Sequence, residues 1–465
     1  MKTRSICAPL PYLLLVCSLA LSACVPSAQT VIRQTVQETV VVNQVQTVVQ
    51  QVVVTATPPP NPEAVITDVE PGAQITLWTY WLSDFRPYIQ NTIARFEQTY
   101  PGVTVHWEDH ASSFLQDYRA AMAAGTAPDV ANLSDTEGWV REFAAKEQLL
   151  NMSDALPKNV IDTYYPGLFN LQLVDGKSYQ APWYQAVPVE LVNRQVYDKT
   201  GLDVRDFPRK LEDLGPLCLT IKLNTSTRCN IGLDMSDLLR DMAYQGGVKV
   251  YDEQAKKFTF DSAEGVAWLQ MYVDWLRIGI IDPSALIATD YHVGLDQFDT
   301  GKVAFYQYQT GPQLIRSIRD KNPGMYGYLE VAPVPVGKSG VIPPTSMGLS
   351  VKKDTKYPRA ALALAAFFTD ARSQLEFSKI VAVYPSTPAA YEDPFFLQNP
   401  IAVEEGARPM ARLIVPKMAD IVPQYPKPAE VNDLVSQAVQ QALFASVAPQ
   451  RALSEAATKA NVLIH

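Results

Sequence analysis

The sequence predicts an α/β protein built on a parallel sheet covered by helices. Three observations point there. Over residues 75–133 the apolar pattern runs strand, helix, strand, helix, strand. The chain has 465 residues, enough for two lobes with cores of their own. Hydrophobic residues make up 47% and charged residues 19%, an ordinary globular balance. No internal run approaches the ~20 apolar residues of a membrane helix.

The chain opens on processing sequence. Lys2 and Arg4 precede an apolar run over 10–21, and Leu21-Ser22-Ala23-Cys24 closes it. That arrangement looks like a bacterial lipobox. Residues 1–23 are then a lipoprotein signal peptide, and Cys24 carries lipid at the new N-terminus. An ordinary signal peptide with a chance cysteine is the alternative. Cleavage removes two of the 39 basic residues and moves the formal charge from −9 to −11. An acidic exported chain suits neither nucleic acid nor anionic lipid. Cys7 and Cys17 leave with the leader. Cys218 and Cys229 remain in a compartment where a disulfide persists. A bridge closing the loop 219–228 is expected, with two buried free thiols as the alternative. Residues 24–71 read as a tether. Residues 31–54 are almost all Val, Gln and Thr, and Val41, Val45, Val48 and Val52 fit a short heptad although valine favours strand. Thr57-Pro58-Pro59-Pro60-Asn61-Pro62 is an extended spacer.

Ile75-Thr76-Leu77-Trp78 is the first strand. It opens into Thr79-Tyr80-Trp81-Leu82-Ser83-Asp84, a loop loaded with large rings. Ile89, Ile93 and Phe96 then share one helical face, and Tyr100-Pro101-Gly102 stops that helix. Val103, Val105 and Trp107 alternate as a strand. Phe114, Leu115, Tyr118 and Met122 mark a second helix, which Gly125-Thr126-Ala127-Pro128 breaks. Asp129-Val130-Ala131-Asn132-Leu133 starts the third strand. Ligands of such sheets sit beyond the carboxyl ends of the strands. That places Trp78, Tyr80, Trp81 and Asp84 after the first strand, and Ser134, Asp135 and Glu137 after the third. Asp84 can equally cap the first helix, and Asp129 reads as a local cap. A helix follows over 139–150. Asp175-Gly176-Lys177 is a hairpin turn, feeding Tyr179-Gln180-Ala181-Pro182-Trp183-Tyr184-Gln185 and a strand over 187–193.

These residues resemble a known family. A DGK turn, Y-x-x-P with an aromatic, a strand ending in Asn193 and then Gly201-Leu202 are similar to family 1 extracellular solute-binding proteins, the maltose-binding-protein class of ABC importers. Phe298-Asp299-Thr300-Gly301-Lys302-Val303-Ala304 resembles that family's F-x-x-G-K-x-A strand. Gly311-Pro312, Val331-Ala332-Pro333-Val334-Pro335, the helix over 356–377 and Tyr384-Pro385-Ser386-Thr387-Pro388 follow in the family's order. The resemblance implies a two-lobed periplasmic-binding-protein fold of type II, each lobe a mainly parallel sheet flanked by helices, joined by crossing hinge strands. It implies lobe one at 72–184 plus 333–380 and lobe two at 185–332 plus 381–465. Gln313 stands near the place where relatives carry tryptophan, and the segment 209–231 departs from the family's pattern.

A sugar site needs ring faces to stack on pyranose C–H patches, and amides or carboxylates to bind adjacent hydroxyls. The candidate loops offer Tyr80, Trp81, Asp84, Asp135, Glu137, Trp183, Tyr184, Gln185, Gln307, Tyr308, Gln309 and Gln313. For each ring, packing in the core is the competing role. His106, Glu108, Asp109 and His110 invite a metal. Four residues of strand span about 13 Å, too far for ligands at about 2 Å from one ion, so no metal is expected. H-E-x-x-H, G-x-S-x-G and G-x-x-x-x-G-K-[ST] do not occur.

The sequence therefore predicts a lipid-anchored receptor, monomeric and without cofactor, on the outer face of the cytoplasmic membrane. It captures a carbohydrate and presents the closed form to ABC permease subunits. Glycerol phosphates, polyamines and peptides are other ligand classes for the same fold. An exported glycosidase using cleft carboxylates and a sensory or adhesive lipoprotein are the rival functions.

Overall fold

The computed structural model describes residues 66–134, 138–225, 227–286, 291–309, 318–320 and 322–465. Cys24, the tether up to residue 65, Asp135, Glu137 and Gln313 lie outside them, as do the side chains of Tyr308 and Gln309.

The strands are β1 (Gln74–Tyr80), β2 (Thr104–His110), β3 (Val130–Ser134), β4 (Ala181–Gln185), β5 (Pro188–Asn193), β6 (Tyr251–Asp252), β7 (Lys257–Phe258), β8 (Phe305–Gln309), β9 (Leu329–Pro333), β10 (Ser346–Val351) and β11 (Tyr384–Pro385). A six-stranded sheet has the order β11-β4-β10-β3-β1-β2, a three-stranded sheet has the order β8-β5-β9, and β6 pairs with β7. The helices that matter below are α1 (Arg86–Thr99), α2 (Phe114–Ala124), α3 (Trp139–Ala145), α4 (Leu214–Thr225), α5 (Leu238–Gly246), α6 (Ala263–Arg277), α7 (Pro358–Phe368), α8 (Ala371–Ser378), α9 (Pro428–Phe444) and α10 (Pro449–Ile464).

The α/β class is the one the sequence predicts, and the strand senses refine it. β1 is parallel to both β2 and β3. β10 runs antiparallel to β3 and β4, and β11 antiparallel to β4. The smaller sheet is antiparallel at both pairings. The reason is connectivity: β10 returns from the second sheet, so it enters the first against the direction set by βαβ crossovers.

Each sheet separates two apolar layers. On one side of the larger sheet Ile75, Leu77 and Val130 pack with Ile89, Ile93 and Phe96 of α1 and the alanine-rich α7. On the other, Ala131 and Leu133 pack with Phe114 and Tyr118 of α2 and Val140 and Phe143 of α3. The period-3.6 faces read from sequence are the buried faces. In the second sheet Val192, Phe305 and Ala332 face α4, α5, α6, α9 and α10. Val189 and Leu191 face Phe298, Met325 and Val415.

Contacts extend across the three expected boundaries. Ile66 is 1% exposed in the first core. The Glu70 carboxylate accepts the N–H groups of Arg359 and Ala360 at 2.9 and 2.8 Å, capping α7 from a distance. The body therefore begins at least six residues before the expected 72, because Glu70 supplies acceptors that α7, starting with Pro358, lacks. At the other boundaries, Gln185 still pairs with β10 and β11, and β11 carries the first sheet on to Pro385.

The chain passes between the sheets side by side. Ala186 N–H donates to Thr345 O at 2.9 Å, where the link from β4 to β5 meets the link from β9 to β10. The turn at Val174–Lys177 closes with reciprocal bonds of 3.1 and 3.0 Å. Asp175 and Gly176 have φ of 51° and 72°, the left-handed pair of a two-residue hairpin.

Candidate functional site

A cavity of about 720 Å³ opens where the two sheets' halves meet. Its first wall is Arg141 of α3 with Leu171 and Gln172. α3 starts directly beyond β3, after Gly138 turns the chain with φ 70°. Gln172 Oε1 accepts the Arg141 N–H at 3.3 Å and fixes the two together.

The opposite wall is the entrance to α5 with part of α9. Asp237 is the N-cap of α5 and accepts Arg240 N–H at 3.3 Å. Asn432 of α9 staples the approach: its Oδ1 accepts Leu238 N–H at 3.1 Å and its Nδ2 donates to Met235 O at 2.9 Å. Arg240 donates to Pro344 O at 3.1 Å and lies over the Tyr244 ring at 5.8 Å.

The segment before α9 forms the remaining side and ties the walls. Arg141 Nη2 meets Asp420 Oδ2 at 2.6 Å. Tyr244 donates to Ala419 O at 2.7 Å, and Gln424 Nε2 donates to Leu173 O at 2.8 Å.

Three carboxylates, Asp234, Asp237 and Asp420, share the lining with two guanidiniums. Burial raises the Asp237 pKa from its ordinary value. It also pushes Asp241, which accepts Asp234 N–H at 2.7 Å, up to about 7. Arg141 Nε is buried without a partner. A donor left open in this way is costly unless a ligand or water meets it. The lining therefore holds forked donors, carboxylate acceptors and primary amides around space for a small polar molecule. Ser236 donates to Asp234, and none of the cavity's lining residues is a histidine that could activate it.

The residues singled out from sequence fall elsewhere. Tyr80 is half-buried, its ring 5.6 Å from Phe114 and 5.3 Å from Trp139. Tyr80 packs against the core under α2 and α3 and does not line the cavity. Trp81 stands 53% exposed just past β1. Asp84 is exposed and does not cap α1, whose N-cap is Phe85. Gln307 is exposed on β8, opposite Glu190. Asp129 is not the local cap expected: it ties β1 to a distant loop, accepting Thr76 N–H at 2.8 Å and Thr355 Oγ1–H at 2.6 Å.

Two expectations for β4 are corrected. Trp183 is 0% exposed, with Tyr88, Phe368 and Phe377 within 6.4 Å of its ring, and so belongs to the first core. Gln185 is equally buried and donates to Ser346 Oγ at 2.9 Å. The pleat of β4 turns 183 and 185 inward together. Tyr184 is half-buried at the margin of the same core, its ring 5.3 Å from Phe377 and 5.1 Å from Trp183.

At the end of β2, Glu108 lies 3.2 Å from His106 and 3.7 Å from His110, and Asp117 lies 3.1 Å from His110. These are pairwise contacts. Among the described residues no group of three His, Cys, Asp or Glu is placed to hold a metal.

Sequence reading missed Arg141, Gln172, Asp237, Arg240 and Asn432. Asp237 alone carried a signal, an N-cap type directly before the apolar Leu238-Leu239. The others face the cavity only because distant segments fold together.

Known proteins share this architecture. A protein of Brucella abortus named as a binding protein is 21% identical over 391 residues, covering 81% of this chain and 90% of its own. The structure of the sugar-binding protein MalE from Xanthomonas citri superposes with a TM-score of 0.66 at 18% identity, covering 84% of this chain and 97% of its own. Maltose-bound MalE3 from T. maritima gives 0.60 at 22% identity, with 84% and 100% covered. The fold is that of the type II periplasmic binding proteins. The profile of the bacterial extracellular solute-binding proteins matches residues 82–375. With the fold and the profile in agreement over most of the described chain, this protein is a member of the family 1 extracellular solute-binding proteins.

Proposed function

We propose that the protein is a lipid-anchored receptor that captures a carbohydrate in this cavity and presents the closed complex to an ABC permease. One observation carries the reading. The cavity is walled by Arg141, on the helix packed against the first sheet, and by Asp237 and Arg240, at the helix packed against the second. A solute touching both walls binds the closed form better and shifts the population toward it. Carboxylate, guanidinium and amide groups match the paired hydroxyls of a sugar. The names of the X. citri and T. maritima proteins support the same ligand class. Tyr80, the last residue of β1, and Trp81, just past it, lie outside the cavity lining and are proposed as a second contact surface for the same ligand.

Lobes at about 66–185 with 346–385, and 188–333 with most of the C-terminal remainder, are the bodies that close in this reading. Anchoring rests on the lipobox at Cys24. No helix among the described residues is long and apolar enough to cross a membrane. The protein acts alone and does no chemistry on its ligand. The test is a thermal-shift screen across mono- and oligosaccharides, followed by calorimetry and analysis of the recovered sugar. A sugar that raises Tm and returns intact supports the receptor. A sugar that returns cleaved establishes a glycosidase, and no shift with any sugar ends the carbohydrate reading.

A further inference from the structure

Trp81 breaks two rules at once. It is a large apolar ring left 53% exposed, and it is a non-glycine residue with φ 59°. Left-handed backbone at a bulky residue costs energy and persists only where the surroundings hold it.

What holds it is the Asp109 carboxylate. Oδ1 accepts from Thr79 Oγ1 at 2.6 Å and from Leu82 N–H at 2.9 Å. Oδ2 accepts from Ser83 N–H at 2.9 Å and from Ser83 Oγ at 2.5 Å. One side chain therefore fastens the residues on both sides of Trp81. Two further bonds complete the brace. Trp81 N–H donates to His110 O at 3.0 Å, and Trp107 Nε1 donates to Thr79 Oγ1 at 2.8 Å. Tyr80 meets the Trp81 ring edge to face at 6.4 Å.

We propose that Asp109 is a positioning residue that locks the loop 79–83 and so presents Trp81 as a preformed stacking platform for a sugar ring. The proposal rests on the carbohydrate reading above. Its physical content is preorganisation. A ring already fixed in its binding pose loses little conformational entropy when the ligand arrives. The sequence placed Asp109 only in a possible metal cluster. The structure turns its carboxylate away from that role, because four donors already meet it.

The test compares the exported chain with Asp109→Ala, Asp109→Asn, Trp81→Ala and the double variant Asp109→Ala/Trp81→Ala. Without ligand, amide hydrogen exchange at Leu82 and Ser83 reads the brace directly. Exchange about tenfold or more faster in Asp109→Ala is expected, with Asp109→Asn intermediate because its one carbonyl oxygen restores part of the brace. Unchanged exchange overturns the proposal. Calorimetry then uses whichever of maltose, maltotriose and maltotetraose raises the wild-type Tm most. Asp109→Ala should weaken binding about tenfold, and the double variant should bind no more weakly than Trp81→Ala. Fully additive losses, or an Asp109→Ala variant that binds as wild type, overturn it. Fast exchange in Asp109→Ala with no Tm shift from any of the three sugars in wild type leaves the brace standing and defeats the maltooligosaccharide platform.

Discussion

Trp81 and Trp183 share a side chain and differ in everything around it. Trp183 fills the first core beside Tyr88 and Phe377. Its replacement by alanine should cost about 3–5 kcal/mol of stability, the range for a core tryptophan. Denaturant unfolding checks this, and sugar affinity should hardly move. Trp81→Ala should show the opposite balance: a small stability change and a loss of about 1–3 kcal/mol in binding, read by calorimetry. Sequence could not separate the two, because both stand among aromatic neighbours at a strand end. Only the pleat of β4 and the brace at Asp109 decide which ring turns inward.

Glu190 is legible in neither pattern nor motif. It sits mid-strand in β5, 3% exposed, with Oε2 lacking any partner. Burial raises its pKa well above the carboxylate range. Unfolded, it titrates near ~4.3. Below that pH both states hold the proton and the full stability is present. Above it the unfolded chain ionises while the folded group stays protonated, so stability declines as pH rises toward the folded pKa. Glu190→Gln should flatten this decline and unfold at higher denaturant than wild type at about pH 8.

At the scale of elements, the bridge between Cys218 and Cys229 fastens α4 to the strand-like segment beyond it. Both cysteines are fully buried in the second core, with a sequence separation of 11. α4 buries Leu214, Cys218 and Ile221 on one face and leaves Leu219 and Leu223 exposed, so the bridge fastens it from its buried side. Chain-entropy reasoning gives about 3 kcal/mol for so short a loop. Cys218→Ser/Cys229→Ser should lower the denaturant midpoint accordingly, and a reducing agent should do the same to wild type.

Helices were the most readable elements, and their breaks the least. The stretch 356–377 reads as one apolar helix. It is two, because Asp370 accepts Ser373 N–H at 2.6 Å and caps a new start. The signal was present as an Asp before an apolar-periodic turn. The alanine-rich run ahead of it pointed to continuation.

At the scale of the molecule, the two adjacent crossings at Ala186 and Thr345 act as a short two-stranded ribbon between the sheets. In the receptor reading proposed above, bending of that ribbon would bring Arg141 and Asp237 closer together. A saturating sugar should therefore shrink the radius of gyration in small-angle scattering, and Arg141→Ala should weaken that response along with affinity. An unchanged radius with bound sugar would mean a cavity that is already closed. The α/β class and the alternation of elements were plain from periodicity. The cavity was not, because its walls come from residues 141, 237 and 432, which no local pattern joins.

The order of strands has a temporal consequence as well. β3 and β4 do not touch each other; β10 lies between them and pairs with both. A ribosome releases β10 more than 150 residues after β4. Until then the nascent first lobe has a gap through the middle of its sheet and exposes unpaired strand edges on either side of it. Contacts this distant in sequence form slowly. The N-terminal half of the chain is therefore a poor folding unit during synthesis. A truncation ending near residue 340 should lack the cooperative unfolding of the full chain, even though it contains α1, α2 and α3 and four of the six strands of that sheet.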